Sequence, residues 1–108
     1  PVLFVAYDLP APAPLNGARP IAPAFAAALV LTSSMERALA TADVTLTAAA
    51  GRDVSHAFSQ EFERLRLDNP AARLLPVLQA LAMERRATIN LNLLDDQRLI
   101  VEVESCRN

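Results

Sequence analysis

The sequence predicts an α/β protein in which a mixed sheet is packed with helices and the chain ends in a β-hairpin. Residues 2–7 form an unbroken apolar run, which is typical of a short strand covered on both faces. Asn69 followed by Pro70 is a strong helix start, because asparagine caps and proline fits the first helical position. Apolar and polar residues alternate over residues 88–93, and Leu99, Val101 and Val103 recur at every second position with glutamates at 102 and 104, which predicts two strands with one buried face each.

Composition narrows the class of protein. The chain has 108 residues, of which 53% are hydrophobic and 20% charged, so we expect a single folded domain, or part of one, rather than a disordered tail. Ten basic and twelve acidic residues give a net charge of −2 without a basic stripe, which argues against a nucleic-acid partner. No apolar run approaches the roughly 20 residues that span a bilayer. The single cysteine suits a reducing compartment, so a cytoplasmic protein without a membrane partner is expected.

The first third of the chain predicts two strands joined by an irregular loop. Residues 2–7 are expected to be a buried central strand. Prolines at positions 10, 12, 14, 20 and 23 remove backbone donors and forbid helix, so residues 8–23 are predicted as loop. Residues 24–32 are predicted as the second strand.

A short helix and a third strand are expected next. Ser33 followed three residues later by Glu36 has the spacing of a capping box, which predicts a helix over residues 35–41. Alternation of apolar residues with threonine then predicts a half-exposed strand from Val44 that ends at Gly51.

The second half predicts two helices before the hairpin. Asp53 or Ser55 can cap a helix that runs to about Arg66. A second helix is expected from residue 70 to 86, kinked or restarted at Pro76 because a proline ring opposes the carbonyl one turn back. The hairpin strands are joined by a turn at residues 95–97.

Pro1 is the first candidate for catalysis. An N-terminal proline followed by a strand resembles the opening of the tautomerase superfamily, whose proline amine acts as a general base when it is desolvated and faced by an arginine. Arg19, Arg37 and Arg73 are the candidate carboxylate-binding arginines. Alternatively, Pro1 is simply where the chain begins or was cut, and this is favoured because the capping box divides the long helix that a tautomerase unit requires.

The other reactive residue types lack a recognisable arrangement. His56 has no nucleophile or carboxylate at a catalytic spacing, and Cys106 follows a strand near the C-terminal end without a cationic setting. Asp95 and Asp96 are adjacent in a turn, where acidic residues are common. No metal-ligand spacing and no phosphate-binding glycine loop is present, so neither a metal nor a cofactor is expected.

Two segments carry a resemblance to a known family. "VLFVAYDLPAPAPLNGARPIAPAFAAALVLTSS" and "NPAARLLPVLQALA" followed by a terminal hairpin resemble the ketosynthase-like chain length factors of aryl polyene pathways, a short branch of the β-ketoacyl synthase family. The resemblance covers residues 1–50 and 69–104. It implies a partial thiolase-like layered fold.

The resemblance also implies a role without catalysis. Active ketosynthases carry a nucleophilic cysteine and two histidines, whereas Cys106 and His56 do not match those positions. The expected function is a subunit that pairs with a ketosynthase as a heterodimer and shapes the tunnel for an acyl chain carried by an acyl carrier protein.

Contacts with other polypeptides are expected at the start of the chain. A central strand over residues 2–7 needs neighbours, so we expect this chain to be the C-terminal portion of a factor that associates with a separate N-terminal part. The candidate partner contacts, at the exit of this strand, are Tyr7, Asp8, Leu9, Pro10 and Pro12. A tautomerase-like trimer and a small α/β interaction module remain the alternatives.

Overall fold

The structure is a computed structural model that describes residues 1–18, 23–48, 59–94 and 96–106. Within these ranges the chain forms strands and helices in the order β1 (Val2–Asp8), β2 (Phe25–Leu31), β3 (Ala40–Thr47), α1 (Gln60–Asp68), α2 (Leu75–Ala82), β4 (Ala87–Leu94) and β5 (Gln97–Ser105), with short 3₁₀ helices at Leu15–Gly17 and Pro70–Leu74. The predicted α/β class is confirmed. The predicted mixed sheet is wrong for the described strands, because every pairing among them is antiparallel.

The chain divides into two compact units. The first comprises Pro1–Ser33 with Ala57–Leu75, and the second comprises Ser34–His56 with Pro76–Asn108.

None of the helices in the described ranges is long and apolar enough to cross a membrane.

In the first unit β1 and β2 form a two-stranded antiparallel ribbon. Their register runs from Val2 opposite Leu31 to Asp8 opposite Phe25, so both predicted strands are confirmed. The expected burial of β1 as a central strand is wrong, because it pairs with β2 alone among the described strands. Its side chains are therefore exposed or half-buried.

The predicted helix over residues 35–41 is also wrong. The Ser34 hydroxyl accepts the N–H of Glu36 at 3.2 Å, only two residues away, which is a local turn and not a helix cap. Arg37 has φ 61, a left-handed conformation that ends any helix. The chain instead enters β3, which pairs with β5 along its whole length, so sheet pairing prevails over the local capping pattern.

Helix α1 begins at Gln60, where the Ser59 hydroxyl caps it by accepting the N–H of Phe62 at 3.1 Å. Ser59 has an extended backbone, so the helix starts here. The predicted caps Asp53 and Ser55 lie outside the described residues.

The predicted restart at Pro76 is confirmed. Pro76 has no N–H to donate to the carbonyl of Ala72, and the N–H of Leu75 takes that carbonyl in a tighter bond. Residues 70–74 are therefore 3₁₀, and α2 continues as α-helix from Leu75.

Helix α2 ends earlier than the predicted residue 86. The N–H of Arg85 donates to the carbonyl of Ala80 at 3.1 Å and that of Glu84 to the carbonyl of Leu81 at 3.3 Å. This is a Schellman motif, with Glu84 at φ 51 in the position that glycine usually occupies. A glycine at position 84 would have indicated the end of the helix in the sequence, whereas a glutamate does not.

The second unit has a three-stranded sheet in the order β3-β5-β4, which includes the predicted terminal hairpin. Ile89, Val101 and Val103 of the sheet are buried, and α2 supplies buried Val77 and Ala80. These aliphatic side chains form the core of this unit. The edge strand β3 contributes less to it, since Val44 and Leu46 stay 60% and 58% exposed, as the predicted half-exposed strand implies.

The left-handed Glu84 gives a test of the helix end. We predict that Glu84→Gly raises the free energy of unfolding by about 0.5 to 1 kcal/mol, because glycine adopts positive φ without the steric cost that other residues carry. Glu84→Ala keeps that cost and is the control. Urea denaturation of both variants measures the difference, and equal stability of the two would contradict a strained Glu84.

Candidate interaction surface

The β1–β2 ribbon has two faces. Side chains alternate along a strand, and residues directly opposite each other share a face. The register therefore places one set on what we call the outer face: Leu3, Val5 and Tyr7 from β1 with Ala26, Ala28 and Val30 from β2.

The outer face is apolar and open to solvent. Leu3 is 66% exposed, Val5 51%, Tyr7 68% and Val30 70%, and both alanines are exposed as well. None of the six carries a charge. The patch amounts to on the order of 500 Å², near the upper end of the largest apolar patches of soluble monomers. A surface of this kind indicates contact with another apolar surface.

The opposite, inner face is partly covered by the chain itself. Ala6, Asp8, Phe25 and Ala27, near the loop end of the ribbon, are half-buried. The 3₁₀ helix Pro70–Leu74 contacts both strands. The first unit thus covers one end of one face and leaves the other face open.

Burial in the first unit is inverted relative to an ordinary core. Its buried residues within the described ranges are Arg66, Asn69 and Ala72. Arg66 forms a two-pronged ion pair with Glu63, from Nη2 to Oε1 at 2.6 Å and from Nε to Oε2 at 3.1 Å. Polar groups are thus inside this unit, while large apolar side chains of the ribbon lie outside.

The loop after β1 has internal order of its own. The N–H of Leu15 donates to the carbonyl of Pro12 at 2.9 Å, and the N–H of Ala18 donates to the carbonyl of Leu15 at 3.1 Å. These bonds close the short 3₁₀ helix Leu15–Gly17. Residues 12–18 are all exposed, so the described part of the loop presents its surface to solvent.

Asn69 holds the base of this loop. It is 0% exposed, and its Oδ1 accepts the N–H of Ala71 at 2.9 Å, which is the predicted cap. Its Nδ2 also donates to the carbonyls of Asp8 at 3.3 Å and Pro23 at 2.8 Å. The sequence indicated the cap alone, since nothing in the sequence local to Asn69 signals a contact with residues 8 and 23.

The predicted partner contacts occupy neighbouring positions along the chain. Tyr7 lies on the outer face, and Leu9, Pro10 and Pro12 follow it in the exposed loop. Asp8 is half-buried, and its carbonyl is held by Asn69. Its place at the strand end makes it part of the support of the surface.

The candidate catalytic residues are not brought together in the described structure. Pro1 is exposed at the start of the ribbon, and Cys106 is exposed after β5, where its N–H donates to the carbonyl of Leu39 at 3.0 Å. Asp96 is exposed in the hairpin turn. His56, Asp95 and Arg19 lie outside the described residues. The part of the chain that the structure describes has no group of three His, Cys, Asp or Glu residues that could hold a metal.

A cavity of about 200 Å³ lies on the polar face of the three-stranded sheet. Asp43, Glu102, Glu104 and Arg86 contribute charged groups to its lining. Arg86 and Glu104 are 3.8 Å apart and both well exposed, so their attraction is screened by water. This lining contains neither a histidine nor a cysteine.

No family model, no curated protein and no solved structure matches the chain.

The buried amide of Asn69 gives a direct test of what holds the ribbon. We predict that Asn69→Ala lowers the free energy of unfolding by about 2 to 4 kcal/mol, because it removes a cap and leaves two carbonyls without their donor. Asn16→Ala, at an exposed position of the Leu15–Gly17 helix, is the matched control and should change stability by less than about 0.5 kcal/mol. Similar losses for both variants in chemical denaturation would argue against the three-bond role of Asn69.

Proposed function

We propose that this chain is part of a non-catalytic subunit, similar to a chain length factor, that pairs with a ketosynthase in acyl-carrier-protein-dependent biosynthesis of the aryl polyene type. In this proposal the two units belong to a partial thiolase-like fold. Its support is the resemblance of residues 1–50 and 69–104 to that family together with the open outer face of the ribbon.

The observation that carries the proposal is the inverted burial of the first unit. A two-stranded ribbon is at best marginally stable in water unless a further strand, sheet or helix covers it. The β1–β2 ribbon is apolar on its outer face, while the buried groups of its unit include Arg66 and Asn69. Burying on the order of 500 Å² of apolar surface against another polypeptide releases roughly 10 kcal/mol before the costs of association.

Two polypeptides share the covering of this surface in the proposal. A separate N-terminal part of the same factor covers the ribbon, and the ketosynthase contacts the exit of β1 with the loop that follows it. The predicted contacts Tyr7, Leu9, Pro10 and Pro12 are exposed, so they are accessible to such a partner. A proline-rich loop is suited to this role because it loses little conformational entropy on binding.

The role of the subunit in the reaction is steric. The ketosynthase supplies the cysteine nucleophile, the oxyanion hole and both histidines. The factor supplies apolar walls that close the acyl tunnel, and the length of the tunnel limits how many two-carbon units fit. The acyl carrier protein delivers the substrate to the ketosynthase and meets the factor only indirectly.

The tautomerase alternative gains no support from the described geometry. A catalytic proline amine requires desolvation, and Pro1 is exposed. Arg37 and Arg73 are exposed as well, and β1 and β2 are antiparallel neighbours, whereas a βαβ unit would make them parallel.

Co-expression with a ketosynthase from an aryl polyene pathway tests the proposal. A tagged form of the 11.6 kDa chain is purified, and intact-mass measurement shows which polypeptides come with it. We predict that the ketosynthase co-purifies and that Leu9→Arg, at the exit of β1, lowers its recovery at least about tenfold, since a buried unpaired guanidinium costs more than the 1.4 kcal/mol that a factor of ten represents.

The control is Thr88→Arg, which places the same side chain at an exposed position of a strand in the other sheet. It should leave recovery unchanged, and circular dichroism should show both variants folded. A chain that is monodisperse alone and recovers no ketosynthase would refute the proposal, as would equal recovery with both variants.

A further inference from the structure

The two ends of the Asn69 amide perform separable tasks. Oδ1 accepts the N–H of Ala71 and so caps the 3₁₀ helix Pro70–Leu74. Nδ2 bonds two carbonyls that belong to other parts of the chain, those of Asp8 and Pro23. The cap accounts for one bond, and the other two concern the loop between β1 and β2.

The two carbonyls mark where the chain leaves the ribbon and where it returns. Asp8 is the last residue of β1, and Pro23 lies two residues before the start of β2. One amide group with two hydrogens in a fixed fork can satisfy both carbonyls only at one separation of the two chain segments. Asn69 therefore sets the width of the loop base.

Fixing the base limits what the loop itself can do. A loop whose ends are held has fewer conformations to lose when it binds. Pro10, Pro12 and Pro14 restrict the backbone further. The bonds from Leu15 to Pro12 and from Ala18 to Leu15 then hold the loop in a defined shape.

We propose that Asn69 is a positioning residue, a latch whose Nδ2 group holds the loop of residues 9–18 in the conformation that contacts the ketosynthase. This rests on the proposed function for the identity of the partner. The ordering of the loop by the latch does not depend on that partner, so the two can be tested apart.

Asn69→Ser separates the latch from the cap. Serine is as good an N-cap as asparagine, so the bond to the N–H of Ala71 is kept. Serine lacks the amide fork, so the carbonyls of Asp8 and Pro23 lose their shared donor. The variant is thus expected to fold with the 3₁₀ helix intact and the loop base released.

Amide hydrogen exchange, followed by NMR on the full chain, measures the result. In Asn69→Ser the amides of Leu15 and Ala18 should exchange about tenfold faster, which is the factor that 1.4 kcal/mol represents. The amide of Ala72 should keep its wild-type rate, and that of the core strand residue Val101, in the second unit, should accelerate less than those of Leu15 and Ala18. Asp68→Ser, an exposed neighbouring position, is the control and should leave loop exchange unchanged.

Binding kinetics supply the second arm. The association rate of Asn69→Ser with the ketosynthase should fall at least about threefold, because a released loop must order during docking. Asn69→Gln keeps the amide fork on a longer side chain, so its association rate should recover part of the loss.

Wild-type exchange rates at Leu15 and Ala18 in Asn69→Ser would overturn the latch, as would equal acceleration at Val101, which would mark a purely global effect. Faster loop exchange with unchanged association would overturn the positioning role. If the wild-type chain binds no ketosynthase, the proposed function fails, and the exchange data still decide whether the latch exists.

Discussion

Asn69 donates its amide hydrogens to carbonyls that lie 61 and 46 residues earlier in the chain. The same side chain caps the 3₁₀ helix that contacts both strands of the ribbon. A buried amide that lost these partners would carry the full cost of desolvation. The position of the ribbon within its unit, and of the loop that leaves it, therefore depends on these three bonds.

The two units differ in how they are stabilised. The second has an aliphatic core in which Ile89 and Val103 are each 2% exposed, and its hairpin and helix follow ordinary amphipathic patterns. The first has polar groups inside and an apolar ribbon face outside. Dispersion and hydrophobic burial, which dominate stability in most domains, are thus incomplete in the first unit and available for association.

The contrast between the two units concerns the exposed outer face of the ribbon. Scattered apolar side chains on a surface are normal, but six on one continuous face of the ribbon, next to a loop stiffened by prolines, are not scattered. The strand exit, the loop and the outer face adjoin one another because the chain passes directly from β1 into the loop. In the proposed assembly, a partner that covers the ribbon meets the adjoining loop as well.

The sequence by itself determined the strands of the ribbon, the cap at Asn69, the restart at Pro76 and the terminal hairpin. Each follows from local chemistry: apolar runs, a capping side chain, a missing N–H, and apolar residues at every second position. The helix predicted from local chemistry at residues 35–41 was wrong. A capping pattern is present there, but the pairing of β3 with a strand some 60 residues away prevails. The sequence also did not indicate the end of α2 at Glu84, because nothing in the sequence distinguishes a glutamate that adopts positive φ.

The tertiary structure alone decided that β1 is an exposed member of a two-stranded ribbon and that Asn69 bridges Asp8 and Pro23. Burial and long-range hydrogen bonds depend on which segments of the chain pack against each other. A sequence pattern indicates the local conformation that a residue favours, but it does not identify the distant segments that the residue contacts. The apolar run of residues 2–7 favours a strand that is covered on both faces, whereas the described residues leave its outer face exposed to solvent.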